Sequence, residues 1–570
     1  MSSQISQYEN RNWWKEGIVY QIYPRSFNDT TGNRIGDLQG IIEKLDYIKS
    51  IGVDIIWLNP VYESPNDDNG YDISDYRSIM GEFGSMADFE QLLAGMHQRG
   101  LKLVMDLVVN HSSDEHKWFE QSRSSRKNPY RDYYHWWPAE KGIPPKRWSY
   151  FDVESNAWKY DKETDAYYLH YFSVKQPDLK WENPKLRQEI YDMMAFWFEK
   201  GVDGFRMDVI PFISKDTNFP KLPDDAVPDD FIELYSKGPN LHGYLREMNR
   251  EVLSKYDVMT VGEAPGVGLA DALDFVDEDR KELNMFFHFD LMTLDRDPNE
   301  VFKMRKDAWK LSEFKKIHSD WDAVFAEKGW GSMFLGNHDF PRSASRWGND
   351  SKKHWRNSAT LLQTFLLTMR GTPYIYYGDE IGMTNVRFDR IEDYKDINTI
   401  NKYRNIKNTG GDLAAFIKNE KEAARDNART PMQWDKSLNA GFSAAKTWIK
   451  VNENYKNGVS VEAQENDEGS ILAYFKKMTN IRKSYPSLIY GAYKLVDEPN
   501  ESVYAYTRTL GDERFLILLN FSTESVTFIV PANLDYNRAK LIISNDRVRD
   551  DKTYKEFLLG AYQAVVYKLE

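Results

Sequence analysis

Regular alternation of strand-like and helix-like segments constrains this chain more than any other feature. Short apolar runs are followed by segments in which apolar residues return every three to four positions and which end at glycine, such as 37–52, 85–100 and 183–201. Eight strands in strand-then-helix order favour an α/β fold of the (β/α)8 TIM-barrel type over a doubly wound sheet. The predicted strands are 17–23, 54–59, 101–109, 204–210, 258–263, 286–291, 331–337 and 372–377.

Three departures from this alternation divide the chain. Residues 112–182, after the third strand, are rich in Tyr, Trp, Lys and Pro and are too long for a simple loop, so we predict an inserted subdomain B over the barrel mouth. A polar insertion also follows the eighth strand. Near residue 488 the pattern changes to short strands separated by turns, which is typical of an antiparallel β domain. We therefore predict a catalytic barrel over 1–111 and 183–487, and a C-terminal β-sandwich domain over 488–570.

Charge and amino-acid usage exclude several classes of partner and site. The 88 acidic residues outnumber the 75 basic ones, and the net charge of −13 disfavours nucleic acid and anionic membranes, since both require a basic face. The chain has no cysteine, so disulfides, thiolate metal sites and cysteine nucleophiles are excluded. The amino terminus lacks the apolar core of a signal peptide, and no apolar run is long enough to span a bilayer. We therefore expect a cytoplasmic protein without a membrane partner.

Ionisable side chains gather where the predicted strands end. Along GFRMDVI (204–210), Arg206 and Asp208 share one strand face, and a structural ion pair would account for them. However, three other strands also end in polar residues, and the carboxyl ends of barrel strands meet at one rim, where such barrels carry their chemistry. Polar residues are unlikely to end four strands by chance, so the sequence predicts that these side chains form one polar site. Its members are Asp106, Asn110 and His111 after the third strand, Arg206 and Asp208 on the fourth, Glu263 on the fifth, and Asn337, His338 and Asp339 on the seventh.

The residue types in this polar site narrow the range of reactions that it could catalyse. The chain has no Gly-rich phosphate loop, no cofactor fingerprint and no serine or cysteine nucleophile motif. A metal-dependent hydrolase is the main alternative, but the histidines stand singly beside carboxylates, without an HxH or HExxH cluster. Paired carboxylates suit the cleavage of glycosidic bonds best. We therefore expect catalysis on a sugar without a cofactor.

Four short motifs give the chain a resemblance to the alpha-amylase family of glycoside hydrolases, and the likeness extends over nearly the whole length. The motifs are DLVVNH (106–111), GFRMDVI (204–210), VGEAPGV (261–267) and FLGNHD (334–339). Within that family the chain is similar to the branch of oligo-1,6-glucosidases (isomaltases), dextran glucosidases and sucrose isomerases. The segments that carry this second likeness are QIYPRSF (21–27), NGYDISDY (69–76), QPDLKWENP (176–184) and RDNARTPMQW (425–434).

The resemblance implies a role for each matching position. Asp208 would be the nucleophile, Glu263 the general acid/base, and Asp339 the carboxylate that holds sugar hydroxyls and stabilises the transition state. Arg206 would keep Asp208 ionised, whereas Glu263 needs a raised pKa to hold its proton. A retaining mechanism follows, with the two working carboxyls about 5–5.5 Å apart. The positions that would grip the glucose are Asp68, Tyr71, His111, His338 and Arg429, and Phe172 and Gln176 match further pocket-lining positions.

The resemblance also implies that one neighbour of the nucleophile sets the linkage. In this branch, valine directly after the nucleophile goes with α-1,6 cleavage, and alanine or threonine with α-1,4 cleavage; here the residue is Val209. The alternative interpretation is that Val209 simply packs well in a strand. We expect a monomeric, exo-acting α-glucosidase that removes glucose from the non-reducing ends of short α-1,6-linked oligosaccharides, with subdomain B closing the cleft into a pocket.

Other members of the family suggest rival functions. The segment TLDRDP (293–298) approaches the Arg-Leu-Asp-Arg-Asp pattern of sucrose isomerases, but it begins with Thr293. Isomerases also carry an aromatic residue two positions after the acid/base to clamp fructose, and here that residue is Pro265. An α-glucosidase of broader α-1,4 or sucrose specificity is a second alternative. Non-catalytic ancillary subunits of amino-acid transporters have a membrane helix and have lost the catalytic carboxylates, and this chain shows the reverse on both counts.

The resemblance raises the question of a structural calcium ion. The segment DTTGNRIGD (29–37) lies where relatives place a calcium loop. Calcium prefers several hard oxygens, carboxylates above all, so Thr31 and Asn33 weaken the site, and Arg34 adds a positive charge. A metal-free turn and an occupied structural site are both open interpretations. The ligands of such a site would be Asp29, Thr31, Asn33, the Ile35 carbonyl and Asp37.

Overall fold

Eight parallel strands at the centre of the molecule form one sheet. The computed structural model describes residues 12–151, 156–227, 230–297, 300–548 and 555–570. Numbered along the chain, the strands are β1 (Val19–Ile22), β2 (Ile55–Leu58), β3 (Lys102–Leu107), β4 (Gly204–Met207), β5 (Met259–Glu263), β6 (Met285–Phe287), β7 (Ser332–Met333) and β8 (Thr372–Tyr376).

This sheet nearly closes into a barrel. Neighbouring strands pair in parallel in the order β6–β5–β4–β3–β2–β1–β8–β7. The two end strands approach each other, and the Ser332 hydroxyl on β7 donates a hydrogen bond of 2.7 Å to the Phe286 carbonyl oxygen on β6. Every residue of β1, β2, β4 and β5 is buried, as expected for strands covered on both faces. The predicted (β/α)8 barrel is confirmed.

The strands end earlier than their apolar patterns predicted. The predicted strand 204–210 stops at Met207 because Val209 adopts a left-handed conformation, with φ 34° and ψ 43°. The predicted strand 101–109 likewise stops at Leu107. Polar residues such as Asp208 therefore lie just beyond the strands, on the loops of the rim.

Helices surround the barrel. Met86–Gln98 begins at a capping box formed by Ser85 and Asp88. The prediction of one helix over 37–52 is wrong, since Lys44 leaves the helical conformation between Leu38–Glu43 and Leu45–Ser50. Among the described residues, no helix has both the length and the apolar composition needed to cross a bilayer. Other α-helices are Trp13–Glu16, Lys117–Ser124, Pro184–Lys200, Phe231–Tyr235, Leu241–Glu251, Ala272–Val276, Asp290–Thr293, Leu311–Glu327, Ser343–Arg346, Trp355–Thr368, Ile397–Thr409, Leu413–Ala423, Val461–Glu465, Ile471–Ser484 and Ser487–Tyr490.

A small antiparallel sheet lies between β3 and β4. Its central strand, Ala166–Leu169, pairs with Trp136–Pro138 on one side and Trp158–Asp161 on the other. The Trp181 indole donates a hydrogen bond of 2.7 Å to the Val109 carbonyl oxygen, which ties the end of this segment to the barrel. The sheet falls inside the predicted subdomain B, whose limits stay a prediction.

The carboxyl-terminal part of the chain is antiparallel β structure. A five-stranded and a two-stranded sheet contribute apolar side chains to one core, among them Leu516, Phe528 and Val565. The predicted C-terminal antiparallel β domain is confirmed, and its limits stay a prediction. The five-stranded sheet has the order Ala492–Leu495, Val503–Leu510, Glu513–Asn520, Ala564–Leu569, Ala539–Ser544, and the other sheet pairs Val526–Ile529 with Glu556–Leu559.

Candidate active site

One cavity at the carboxyl ends of the barrel strands brings together residues from distant parts of the chain. Eight of the predicted site residues line it, and the other four contact them from behind. The lining residues are Asp68, Tyr71, His111, Phe172, Asp208, Val209, Glu263 and Asp339, and those behind are Gln176, Arg206, His338 and Arg429.

Arg206 joins carboxylates from three adjacent strands. Its Nη1 atom lies 2.6 Å from Asp106 Oδ1 and 2.6 Å from Asp208 Oδ1, and its Nη2 atom lies 2.7 Å from Glu263 Oε2. The Arg206 side chain is 0% exposed, so water does not screen these charges. Because one guanidinium contacts Asp208 and Glu263, and both line the cavity, the two carboxyls lie close together there. The ion pair considered for GFRMDVI is therefore part of a larger network.

Burial and the shared arginine set the pKa values of these carboxyls. Burial raises the pKa of Glu263 to about 8, with Arg206 opposing the rise and Asp208 adding to it. Burial also raises the pKa of Asp208 to about 7, again against the charge of Arg206. The sequence predicted that Arg206 keeps Asp208 ionised. Arg206 does lower the pKa of Asp208 but does not offset the effect of burial, and this pKa stays below that of Glu263. That order suits a nucleophile beside an acid.

Val209 is held in a strained conformation beside Asp208. A positive φ is an outlier for a β-branched residue, and at Val209 it turns the chain out of β4. The turn directs the Val209 N–H toward Glu263 Oε2, which accepts a hydrogen bond of 3.2 Å. The side chain of Val209 also lines the cavity. Val209 therefore does more than fill a strand, because its backbone orients Glu263.

Several predicted glucose-binding residues form one connected layer. Tyr71 Oη lies 2.7 Å from His338 Nε2, and their rings stack with 3° between the planes. His111 Nε2 lies 3.2 Å from Gln176 Nε2, and Gln176 donates a hydrogen bond of 3.1 Å to Asp68 Oδ2. Burial lowers the pKa of His111 and of His338 to about 3, so both rings are neutral near pH 7. Neutral donors and acceptors in a fixed layer suit the hydroxyl groups of a sugar.

Two arginines from the segment after β8 hold Asp339. Arg425 Nη1 and Arg429 Nη2 lie 2.9 Å and 2.8 Å from Asp339 Oδ1. Burial raises the pKa of Asp339, but His338, Arg425 and Arg429 lower it further, and the net pKa lies well below the ordinary value. Because the His338 ring is neutral near pH 7, the two arginines supply the effect there. Asp339 therefore stays ionised beside the sugar position.

Aromatic side chains wall the cavity. Tyr150, Phe151 and Phe172 come from the insertion after β3 and line one side. Asn401, on helix Ile397–Thr409, donates a hydrogen bond of 3.3 Å to the Phe151 carbonyl oxygen. The insertions after β3 and β8 therefore meet beside the cavity, and the flat apolar rings there suit packing against a sugar ring. Further aromatic lining residues are Phe212, Phe231, Phe289 and Phe340.

Sequence reasoning missed three residues of this site. Asp106 was placed at the rim without a role, yet it anchors Arg206 and accepts a hydrogen bond of 2.9 Å from the Trp57 indole. Arg425 opens the segment RDNARTPMQW, so a signal for it was present. Asp396 pairs with Arg425 and with Arg429, and no pattern in the surrounding sequence indicates it.

The predicted calcium loop is tied by its own hydrogen bonds. All four carboxylate oxygens of Asp29 and Asp37 accept hydrogen bonds, mostly from N–H groups of residues 30–40. Asn33 Oδ1 accepts one of 3.1 Å from the Ile35 N–H. Within the ranges described above, no group of three or more His, Cys, Asp or Glu side chains could hold a metal ion. Two of the five predicted ligands are carboxylates, whereas calcium takes about six to eight oxygens, and binding of calcium to this loop stays a prediction.

Comparisons with known proteins agree with this geometry. Residues 21–491 match the family model for the alpha amylase catalytic domain, and residues 493–566 match that for the maltogenic amylase C-terminal domain. The chain is 52% identical to an oligo-1,6-glucosidase from Parageobacillus thermoglucosidasius, over 98% of this chain and 99% of that protein. It is 49% identical to an oligo-1,6-glucosidase from Bacillus cereus, over 98% and 100% of the two chains.

Solved structures give the same result for the fold. The chain superposes on isomaltulose synthase from Klebsiella sp. LX3 with a TM-score of 0.95 and 46% identity, over 99% of this chain and 100% of that chain. The match to the catalytic-domain model spans most of the sequence. The chain therefore belongs to the alpha-amylase family of glycoside hydrolases.

Proposed function

We propose that this chain is an oligo-1,6-glucosidase: a retaining, exo-acting α-glucosidase that hydrolyses α-1,6-glucosidic bonds at the non-reducing ends of short isomalto-oligosaccharides. The observation that carries the proposal is that Asp208 and Glu263 line one cavity and contact the same guanidinium, that of Arg206. Two carboxyls of different pKa beside one bond are what a retaining glycosidase requires. The relatives named oligo-1,6-glucosidase support the linkage.

The reaction takes two displacements at one carbon. The Asp208 carboxylate attacks the anomeric carbon while Glu263 gives its proton to the departing glycosidic oxygen, so a glucosyl ester forms as the C–O bond breaks. Water then attacks the same carbon, the ionised Glu263 takes its proton, and Asp208 leaves as a carboxylate. Asp339 stays ionised and faces the positive charge that develops on the sugar ring. Neither step uses a cofactor.

The walls of the cavity support the removal of one terminal glucose at a time. Because the insertions after β3 and β8 meet beside the cavity, we infer that the glucosyl ring enters a pocket and not an open groove. The Val209 side chain lies next to Asp208, where the leaving sugar departs, so we assign the α-1,6 preference to its shape. Short substrates with a free non-reducing end are then preferred over internal segments of long chains.

Sucrose isomerisation is the second candidate, because the similarity extends to an isomaltulose synthase. An isomerase has to hold the released fructose and re-attach it. Pro265 and Thr293 line the cavity where the isomerase pattern has an aromatic residue and an arginine. Neither residue offers a ring face or a guanidinium fork to fructose, so we expect the released sugar to leave. Pro298, the last residue of TLDRDP, lies outside the described residues.

Separate incubations with isomaltose, maltose and sucrose test the proposal. We expect glucose from isomaltose at the highest rate, and faster release from isomaltotriose than from long dextran. The variant Asp208→Asn is expected to keep its fold and to lose turnover by more than about 10,000-fold. Isomaltulose from sucrose would support the isomerase, and equal rates on maltose and isomaltose would support an α-glucosidase of broader specificity. Substantial activity of Asp208→Asn would remove Asp208 from its role.

We propose further that the enzyme works as a cytoplasmic monomer on small oligosaccharides, without a nucleic acid or membrane partner and without a metal ion. The net charge of −13 supports the first exclusion. Among the described residues, the exposed large apolar side chains are spread over several stretches of the chain, for example Ile143, Leu438 and Ile529, which supports a monomer.

A further inference from the structure

Asp396 is a buried carboxylate that the two displacements do not use. It precedes helix Ile397–Thr409 and is 1% exposed. Its Oδ1 atom accepts hydrogen bonds from Arg425 Nε at 2.9 Å, from Arg425 Nη2, and from Arg429 Nη1 at 3.3 Å. Its Oδ2 atom accepts a hydrogen bond of 3.1 Å from the Thr399 N–H. The protein therefore engages both oxygens of Asp396, which also lines the cavity.

The same two arginines hold Asp339 on their other side. Arg425 and Arg429 each bridge Asp339 Oδ1 and Asp396 Oδ1, so two positive and two negative charges alternate in a closed ring. With Asp396 ionised, the charges of this ring cancel. If Asp396 lost its charge, the ring of four side chains would carry one buried positive charge beside the reacting carbon. Two further carboxylates lie near this ring among the described residues: Asp68 Oδ1 is 3.7 Å from Arg425 Nη2, and Asp426 interacts with the charges of Arg429 and Asp396.

We propose that Asp396 is a positioning residue for catalysis, whose charge keeps Arg425 and Arg429 from over-neutralising Asp339. Asp339 then meets the oxocarbenium-like transition state with its negative charge available. The inference rests on the proposed function in one respect, namely that the reaction builds up positive charge on the sugar ring. Because this charge develops only in the transition state, losing the Asp396 charge should lower kcat much more than it raises KM.

The variant Asp396→Asn separates the charge of this residue from its role as a helix cap. Asparagine caps helices about as well as aspartate, so its single oxygen keeps the bond to the Thr399 N–H, while the charge and the acceptor for the two arginines are lost together. Asp412→Asn is the matched control. Asp412 caps the next helix, Leu413–Ala423, through the N–H groups of Ala414 and Ala415 in an exposed position.

The first readout is the steady-state hydrolysis of p-nitrophenyl α-glucoside. For Asp396→Asn we expect kcat to fall by about 10- to 50-fold with KM nearly unchanged, as expected for a unit charge several ångströms away at the effective dielectric of a protein. Asp412→Asn should stay within about twofold of the wild type. The second readout compares inhibition by the cationic imino sugar 1-deoxynojirimycin with inhibition by neutral glucose. The inhibition constant of the cation should rise with the loss in kcat, while that of glucose stays the same.

Two results would overturn the inference: an unchanged kcat in folded Asp396→Asn, or equal rises in both inhibition constants, because a purely structural change affects both ligands alike. If Asp396→Asn does not fold, Asp396→Ser replaces it, since serine also caps helices and leaves room for water. If the wild type hydrolyses no α-glucoside, the proposed function fails. The dissociation constants of 1-deoxynojirimycin and of glucose, measured by isothermal titration calorimetry on the wild type and on Asp396→Asn, still test Asp396 in that case, so the two failures are distinguishable.

Discussion

At the scale of single residues, Arg206 contacts two carboxyls that need opposite protonation states. Asp208 must be ionised when it attacks, and Glu263 must keep a proton until the glycosidic oxygen leaves. Arg206 Nη1 donates a hydrogen bond to Asp208, whereas Glu263 has an ion pair with Nη2 and a hydrogen bond from the Val209 N–H. The charge-assisted hydrogen bond favours the ionised form of Asp208 more strongly. This difference separates the two pKa values in the direction that catalysis needs.

The first prediction is a bell-shaped dependence of kcat/KM on pH. The rate should rise as Asp208 ionises, with its pKa raised to about 7, and fall as Glu263, with its pKa raised to about 8, loses its proton. Because Arg206 contacts both groups, the two limbs report the pair and not either residue alone. Stopped assays on isomaltose across the pH range measure this profile. A flat profile from about pH 5 to about pH 9 would contradict the assigned roles.

The second prediction concerns the side chain of Val209. Replacing it with alanine removes two methyl groups beside Asp208 and relieves the strain of a β-branched residue at positive φ. We expect the ratio of kcat/KM for maltose to that for isomaltose to rise by about tenfold or more. Val267→Ala is the control, since Val267 is buried outside the cavity. An unchanged ratio in Val209→Ala would leave Val209 with a backbone role only.

At the scale of elements, the loop at residues 29–37 is stabilised from within. Asp29 and Asp37 each act as backbone acceptors, and Asp37 also caps helix Leu38–Glu43 through the Gly40 N–H. The sequence could place this loop by its likeness to relatives, but it did not show that internal donors already satisfy both carboxylates.

The third prediction is that this loop works without calcium. EDTA should change the melting temperature by less than about 1 °C, and added calcium should not raise it, because a site that binds no ion gains no linkage stabilisation. In Asn33→Asp, which supplies a third carboxylate, added calcium should raise the melting temperature. A wild-type melting temperature that rises by several degrees with calcium would show that the loop binds the ion after all.

The existence of the barrel strands could be predicted, but their ends could not. Apolar periodicity indicates which segments are buried, and all eight barrel strands were found in this way. It carries no information on where the backbone turns, so the stop at Met207 and the break at Lys44 were missed. Both depend on single-residue dihedral angles that packing against neighbouring elements decides.

At the scale of the whole molecule, two buried arginines join the barrel to the C-terminal domain. Arg482 Nη1, at the end of the barrel part, donates hydrogen bonds of 3.0 Å to the carbonyl oxygens of Leu367 and Met369 and, across the predicted boundary, to that of Leu488. Arg508, on the five-stranded sheet, donates to Thr368 O and to Gly491 O. Free carbonyl groups at the end of helix Trp355–Thr368 thus find cationic donors, which favours one fixed arrangement of the two parts.

The site residues at the ends of barrel strands could be predicted from the sequence, whereas those on the insertion after β8 could not. Asp208 comes directly after β4 and Glu263 ends β5, so topology alone brings them to one rim. Arg425 and Asp396 come from the polar segment after β8, which has no periodicity to reveal its path. The contacts of Arg425 with Asp339 and with Asp396 depend on how that segment packs over the barrel, and this is information that only the folded molecule contains.

The assignment of Asp208 as the attacking carboxylate is tested most directly by trapping the glucosyl ester. Incubation with 5-fluoro-α-D-glucosyl fluoride, followed by protease digestion and mass spectrometry, locates the sugar on the chain. The predicted result is one fluoroglucosyl group on the peptide that contains Asp208, absent in Asp208→Asn. A label on Glu263 or Asp339, or turnover without any covalent adduct, would contradict the proposed mechanism.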